Sequence, residues 1–141
     1  MIIEENKEII TEMIEKATEQ LKYSYAPYSD FKVGAALLTE SGNIFTGCNI
    51  ENAAYSPTNC AERTAFFKAI SEGEKEFVKI AIVGGMEGTE PEELCAPCGV
   101  CRQVMNEFCD IDQFEIILMD GPNNVKVLTL NELLPYGFAL D

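Results

Sequence analysis

The segment Phe77-Val78-Lys79-Ile80-Ala81-Ile82-Val83 is apolar at every position but one, and it constrains the fold more than any other stretch. A strand apolar on both its alternating faces must be covered on both, so a sheet with helices above and below it is required. Three stretches can supply that cover. Ile9, Ile10, Met13, Ile14, Ala17 and Leu21 recur at helical spacing within residues 4–23, before Ala26-Pro27-Tyr28-Ser29 breaks the pattern. Residues 60–71 place Ala61, Ala65, Phe66, Ala69 and Ile70 on a second helix stopped by Gly73. Residues 99–108 form a third, starting at the Pro97-Cys98 step. Further strands are expected at 31–38 and 44–50, a hairpin about Glu40-Ser41-Gly42-Asn43, and at 114–119 and 125–128 about Asn123-Asn124. Residues 84–97, with Gly84-Gly85, read as a polar loop, and 130–134 as a last helical turn before Pro135. The order α-β-β-α-β-α-β-β-α predicts an α/β fold, a three-layer α-β-α sandwich around a mixed five-stranded sheet. With no repeat or linker, residues 1–141 are expected to form a single domain.

Charge narrows the partners. Twenty-four acidic against ten basic residues give a net charge of -14, which disfavours nucleic-acid phosphates and anionic membranes alike. A neutral or cationic small molecule remains compatible. The N-terminus has no basic segment leading into an apolar run, and no stretch approaches a membrane span, so a cytoplasmic protein is expected.

Six cysteines without an export signal, three of them between Cys95 and Cys101, suit reduced thiols and a metal better than disulfides. There is no histidine, so a transition-metal site must be built from thiolates and carboxylates. Cys98-Gly99-Val100-Cys101 is by itself open to three readings: half a structural zinc site, a redox pair, or two core cysteines. Cys60-Ala61-Glu62-Arg63 sits at a predicted helix start, where the dipole favours thiolate over thiol. Cys60, Cys98 and Cys101 would bind a metal and leave one position open, as a catalytic zinc requires. Glu62 would stand beside that position, able to accept and return a proton.

The pairing of Cys60-Ala61-Glu62 with Pro97-Cys98-Gly99-Val100-Cys101 resembles the signature of the zinc nucleoside deaminases. Glu62-Arg63-Thr64-Ala65, Cys101-Arg102-Gln103, the run Tyr25 to Leu37 and Asn49-Ile50-Glu51-Asn52-Ala53 resemble the small, homotetrameric cytidine deaminases in particular. Together these cover about residues 23–138.

The resemblance implies hydrolytic deamination of cytidine and 2′-deoxycytidine in pyrimidine salvage, with one zinc per subunit held by Cys60, Cys98 and Cys101. It implies that Glu62 is the catalytic proton shuttle, that Phe31 stacks on the base, and that Asn49 and Glu51 hold the ribose. The backbone of Ala61 and of Cys98 contacts the base. Arg63 hydrogen-bonds ligand sulfur and offsets the negative charge of three thiolates, with Arg102 assisting. Ala53, Tyr55 and Phe138 match positions that neighbouring subunits contribute. Cys48, Cys95 and Cys109 have no ligand role in the pattern, and Cys95 is taken as a loop cysteine.

Three other activities are weighed against this one. Deamination of an antibiotic such as blasticidin S shares the three-cysteine site, but the intact Asn-x-Glu-Asn segment disfavours it. A structural zinc or redox module explains Cys98 and Cys101 but gives Glu62 no purpose. Polynucleotide editing is opposed by the acidic charge.

Overall fold

The computed structural model describes residues 4–140. Its helices are α1 (Glu4–Glu19), continued by a 3-10 turn (Gln20–Tyr23), α2 (Ala61–Ser71), α3 (Gly99–Phe108) and α4 (Leu130–Leu133). The strands are β1 (Phe31–Thr39), β2 (Ile44–Cys48), β3 (Phe77–Met86), β4 (Glu115–Met119) and β5 (Val125–Thr129).

They form one five-stranded sheet in the order β2-β1-β3-β4-β5. All neighbouring pairs are antiparallel except β3 with β4. A parallel pair needs a crossover, and α3 lies within it. The apolar run serves both faces, as expected of the central strand. Ile80 and Ile82 pack with Ala35, Leu37, Phe66 and Met105 under α2 and α3. Ala81 and Val83 pack with Ile10, Met13 and Ala17 of α1 on the other side. The mixed sheet between helical layers is the predicted architecture.

Most boundaries agree with the sequence reading to within one residue, and three differences are larger or change the type of structure. β3 continues through Gly84 and Gly85 to Met86, where a loop is expected, because Lys32 and Val33 of β1 pair with those glycines. Two adjacent glycines read as a loop, but at Gly84 the missing side chain makes room for a neighbour: a Cβ there would meet Cys95 Sγ at 2.8 Å. β2 ends at Cys48, not residue 50, since Asn49 turns its side chain back onto β1. The helix expected over 4–23 tightens to 3-10 geometry for its last turn.

Close backbone approach fixes the layers. A Cβ on Gly34 of β1 would lie 2.0 Å from the Ala17 carbonyl oxygen in α1, and one on Gly47 of β2 2.5 Å from that of Ala61 in α2. Glycine at these two positions lets each helix settle onto the sheet. Gly47 therefore sets the depth of the helix that begins the site.

Candidate metal centre and active site

The N-termini of α2 and α3 converge. Cys60 caps α2 in extended geometry, and Cys98 caps α3, its sulfur accepting the Cys101 amide at 3.5 Å. The Sγ atoms of Cys60, Cys98 and Cys101 lie within 4.8 Å of one another, with Cys60 and Cys98 3.6 Å apart. Four sulfurs at a Zn–S distance of ~2.3 Å define tetrahedron edges of about 3.8 Å, so the Cys60–Cys98 separation suits zinc.

Charge at the cluster is arranged for thiolate. Cys101 and then Arg63 hydrogen-bond the Cys60 sulfur and lower its pKa to about 5, against the opposing effect of burial. Arg63 Nη2 donates to Cys60 Sγ at 3.3 Å. Cys101 is shifted strongly the other way, chiefly because its thiol donates to Cys60. Arg63 Nε is buried with no hydrogen-bond partner among the described residues. A partly buried guanidinium against a thiol cluster is best balanced when the cluster is anionic, which is the state a bound zinc would impose.

Glu62, in the first turn of α2, is 4% exposed, and burial above all raises its pKa to about 7. It lines a cleft together with Cys60, Ala61, Cys98, Asn49 and Glu51, and with Val33, Thr58, Asn59, Cys95 and Ala96. The cleft thus carries sulfur, a carboxyl poised near neutrality and the polar pair Asn49 and Glu51.

That pair is held from behind. Asn49 Oδ1 accepts the Val33 amide at 2.9 Å and the Ser24 hydroxyl, and Asn49 Nδ2 donates to the Phe31 carbonyl at 2.9 Å. Asn49 can therefore only donate further, through its second N–H. Glu51 remains an acceptor, with its carboxyl held below the usual range, chiefly by the Ser29 hydroxyl. Asn49 thus also ties the chain just after β2 to β1, through Val33 and Phe31.

The ring of Phe31 and the sulfur of Cys95 both pack against Gly84; of the two, Cys95 lines the cleft and Phe31 does not. Cys95 is excluded from the sulfur cluster, and burial lifts its thiol to about 12. Cys109 is raised likewise by burial, and Cys48 is buried at the end of β2.

Arg102 differs from expectation. Its Nε donates to the Pro97 carbonyl and its Nη1 to that of Leu133, both at 2.7 Å, so it braces the loop and leaves the sulfurs to Arg63. Of the residues expected at the site, Phe31, Arg63 and Cys101 adjoin the cleft without lining it, and Ala53, Tyr55 and Phe138 do not line it either: Tyr55 is 76% and Phe138 67% exposed. Tyr55 instead borders an adjoining cavity that shares Glu51 and Thr58 with the cleft. Ser24, Thr58 and Asn59 carried no sequence signal of their own, because each joins the site only through folding; Cys95, expected only as a loop cysteine, lines the cleft.

Comparison with known proteins adds a family. Residues 7–117 match the model of the cytidine and deoxycytidylate deaminase zinc-binding region. A cytidine deaminase of Sporosarcina psychrophila is 45% identical over 130 residues, 92% of this chain and 91% of its own. A blasticidin-S deaminase of Bacillus cereus is 33% identical over 131 residues, 91% of each chain. The 1.6 Å crystal structure of cytidine deaminase from Burkholderia pseudomallei has a TM-score of 0.80 and 46% identity, covering 91% of this chain and 98% of that one.

Proposed function

Because the chain belongs to the cytidine and deoxycytidylate deaminase family, we propose that it hydrolyses free cytidine and 2′-deoxycytidine to the uridines, releasing ammonia, in pyrimidine salvage. The observation that carries this reading is the buried carboxyl of Glu62 in a cleft shared with two of the cluster cysteines and with Asn49 and Glu51.

Cys60, Cys98 and Cys101 would hold a zinc, whose chemistry there would be to make a water nucleophilic enough to attack C4 of the base. Glu62 takes a proton from that water and delivers it to N3. It then carries the remaining hydroxyl proton to the departing nitrogen, which leaves as ammonia. A carboxyl titrating at about 7 can both accept and give at neutral pH. Arg63 balances the thiolates. The ring of Phe31 stacks on the base, and the backbone of Ala61 contacts it. Asn49 donates to the sugar hydroxyls and Glu51 accepts from them.

The exposed Tyr55 and Phe138, with Ala53, complete the site of another subunit in a homotetramer. Rings of that size left in water are favoured where a second chain covers them. Among the described residues no helix is long and apolar enough to cross a membrane. The six free cysteines suit a reducing cytoplasm.

A turnover assay on metal-analysed protein, following loss of cytidine absorbance, tests the reading with cytidine, deoxycytidine, cytosine, CMP and blasticidin S. Turnover of both nucleosides, with little on the free base or the nucleotide, is expected. Preferential turnover of blasticidin S, the substrate named in the Bacillus cereus relative, would replace it.

A further inference from the structure

Between the base-stacking and sugar-binding residues stands a single hydroxyl. Ser29 Oγ accepts the Phe31 amide at 3.0 Å, which turns its own proton outward, and it donates that proton to Glu51 Oε2. The other carboxylate oxygen, Oε1, accepts the amides of Tyr28 at 3.0 Å and Ser29 at 3.2 Å. The chain makes this contact by reversing at Asp30, whose φ of 59° lies in the left-handed region. Asp30 is pinned on both sides, donating to the Ala26 carbonyl at 3.0 Å and accepting the Glu87 amide at 2.8 Å. The turn is thus built, and Ser29 is its contact with the Glu51 carboxylate and with the main chain of Phe31.

An ionised carboxylate has about four acceptor sites. Three are taken by residues 28 and 29. One remains for a substrate hydroxyl, and its direction is set by the bonds that occupy the rest.

The structure assigns to Ser29 the role of positioning residue for substrate binding: its hydroxyl, bridging the Phe31 amide and the Glu51 carboxylate, orients Glu51 toward the sugar. This rests on the reading of Glu51 as the sugar acceptor. Ser29 touches neither the reacting atoms nor the sulfur cluster, so its effect belongs in nucleoside binding and not in the chemical step. Neither asparagine nor alanine can replace it, because the position needs one atom that accepts from an amide and donates to a carboxylate. Threonine can.

The test measures KM and kcat for cytidine in zinc-loaded Ser29→Ala, Ser29→Thr, Glu51→Gln and the double variant Ser29→Ala/Glu51→Gln, with circular dichroism and thermal melts as folding controls. Ser29→Ala should raise KM about tenfold with kcat within about twofold, in keeping with the loss of one charge-assisted hydrogen bond. Ser29→Thr should stay within about twofold of the parent in both. In the Glu51→Gln background, Ser29→Ala should add almost nothing, since a residue acting through Glu51 has no further effect once the carboxylate is gone. An unchanged KM in Ser29→Ala while Glu51→Gln raises it overturns the positioning role and leaves the sugar reading intact. A further rise in KM in the double variant also overturns it, marking Ser29 as a general support of the loop. An unchanged KM in Glu51→Gln removes the sugar reading itself, and the positioning role with it.

Discussion

At the residue scale, the most consequential group is the carboxyl of Glu62, because its burial has opposite consequences for activity and for stability. Its pKa rises from an ordinary 4.5 to about 7, so between those values the folded chain holds a proton that the unfolded chain has released. Stability from this group is therefore fully present below about 4.5 and is lost as pH rises toward 7. At ~1.4 kcal/mol per pH unit the loss is about 3 kcal/mol. In metal-free protein, Glu62→Gln should be more stable than the parent at pH 8 and nearly equal to it at pH 5, as read by chemical denaturation at the two values. In zinc-loaded protein the same substitution should leave the metal stoichiometric and lower kcat by at least about a hundredfold. Full activity would remove Glu62 from the proton path.

At the scale of elements, the site depends on how deeply α2 sits on β2. Gly47 permits that depth, for a Cβ there would also approach the Ala65 amide nitrogen to 2.7 Å and Thr64 Cβ to 2.9 Å. The obstructing atoms are mainly helix backbone, which cannot swing away. Gly47→Ala should therefore displace the first turn of α2, which carries Glu62 and adjoins Cys60. A loss of about 1–3 kcal/mol is expected from such overpacking, together with weaker zinc retention against a chelator. Substitution at Gly42, whose Cβ would meet nothing within 4 Å, should strain its turn and leave zinc retention unchanged. Equal zinc retention in both variants would show that helix depth does not govern the metal centre.

At the scale of the whole molecule, the cleft holds the Glu62 carboxyl, two of the cluster cysteines and a polar pair, but Tyr55 and Phe138, two aromatic residues expected of the working site, lie outside it and are exposed. If they complete a neighbour's site, two defects on different chains can compensate. Glu62→Gln and Phe138→Ala subunits, each weakly active alone, should regain activity when unfolded together and refolded as mixed assemblies. The regain should appear at the elution volume of a tetramer, by size exclusion with light scattering. Activity no greater than the average of the two parents would show that each chain carries a whole site.

Local chemistry made most of this protein legible before folding. The apolar run 77–83 demanded a covered central strand, and the period of residues 9–21 demanded a helix. The absence of histidine left cysteine as the main metal ligand, and the pairing of Cys60-Ala61-Glu62 with Cys98-x-x-Cys101 pointed to the chemistry. All of these depend on spacing within one or two short segments, which a chain carries in its order alone. Tertiary structure decided what depends on distance between segments. Pairing with β1 kept Gly84 and Gly85 in a strand, though their composition reads as a loop. Arg63 and Arg102 each follow a cluster cysteine, yet one meets sulfur and the other two carbonyls. Ser29 has no partner in its own segment to suggest a task beyond the turn; Glu51, 22 residues away, supplies one only when β1 and β2 lie side by side. Burial likewise belongs to the fold, and it is burial that moves the Glu62 carboxyl to where it can exchange protons at neutral pH.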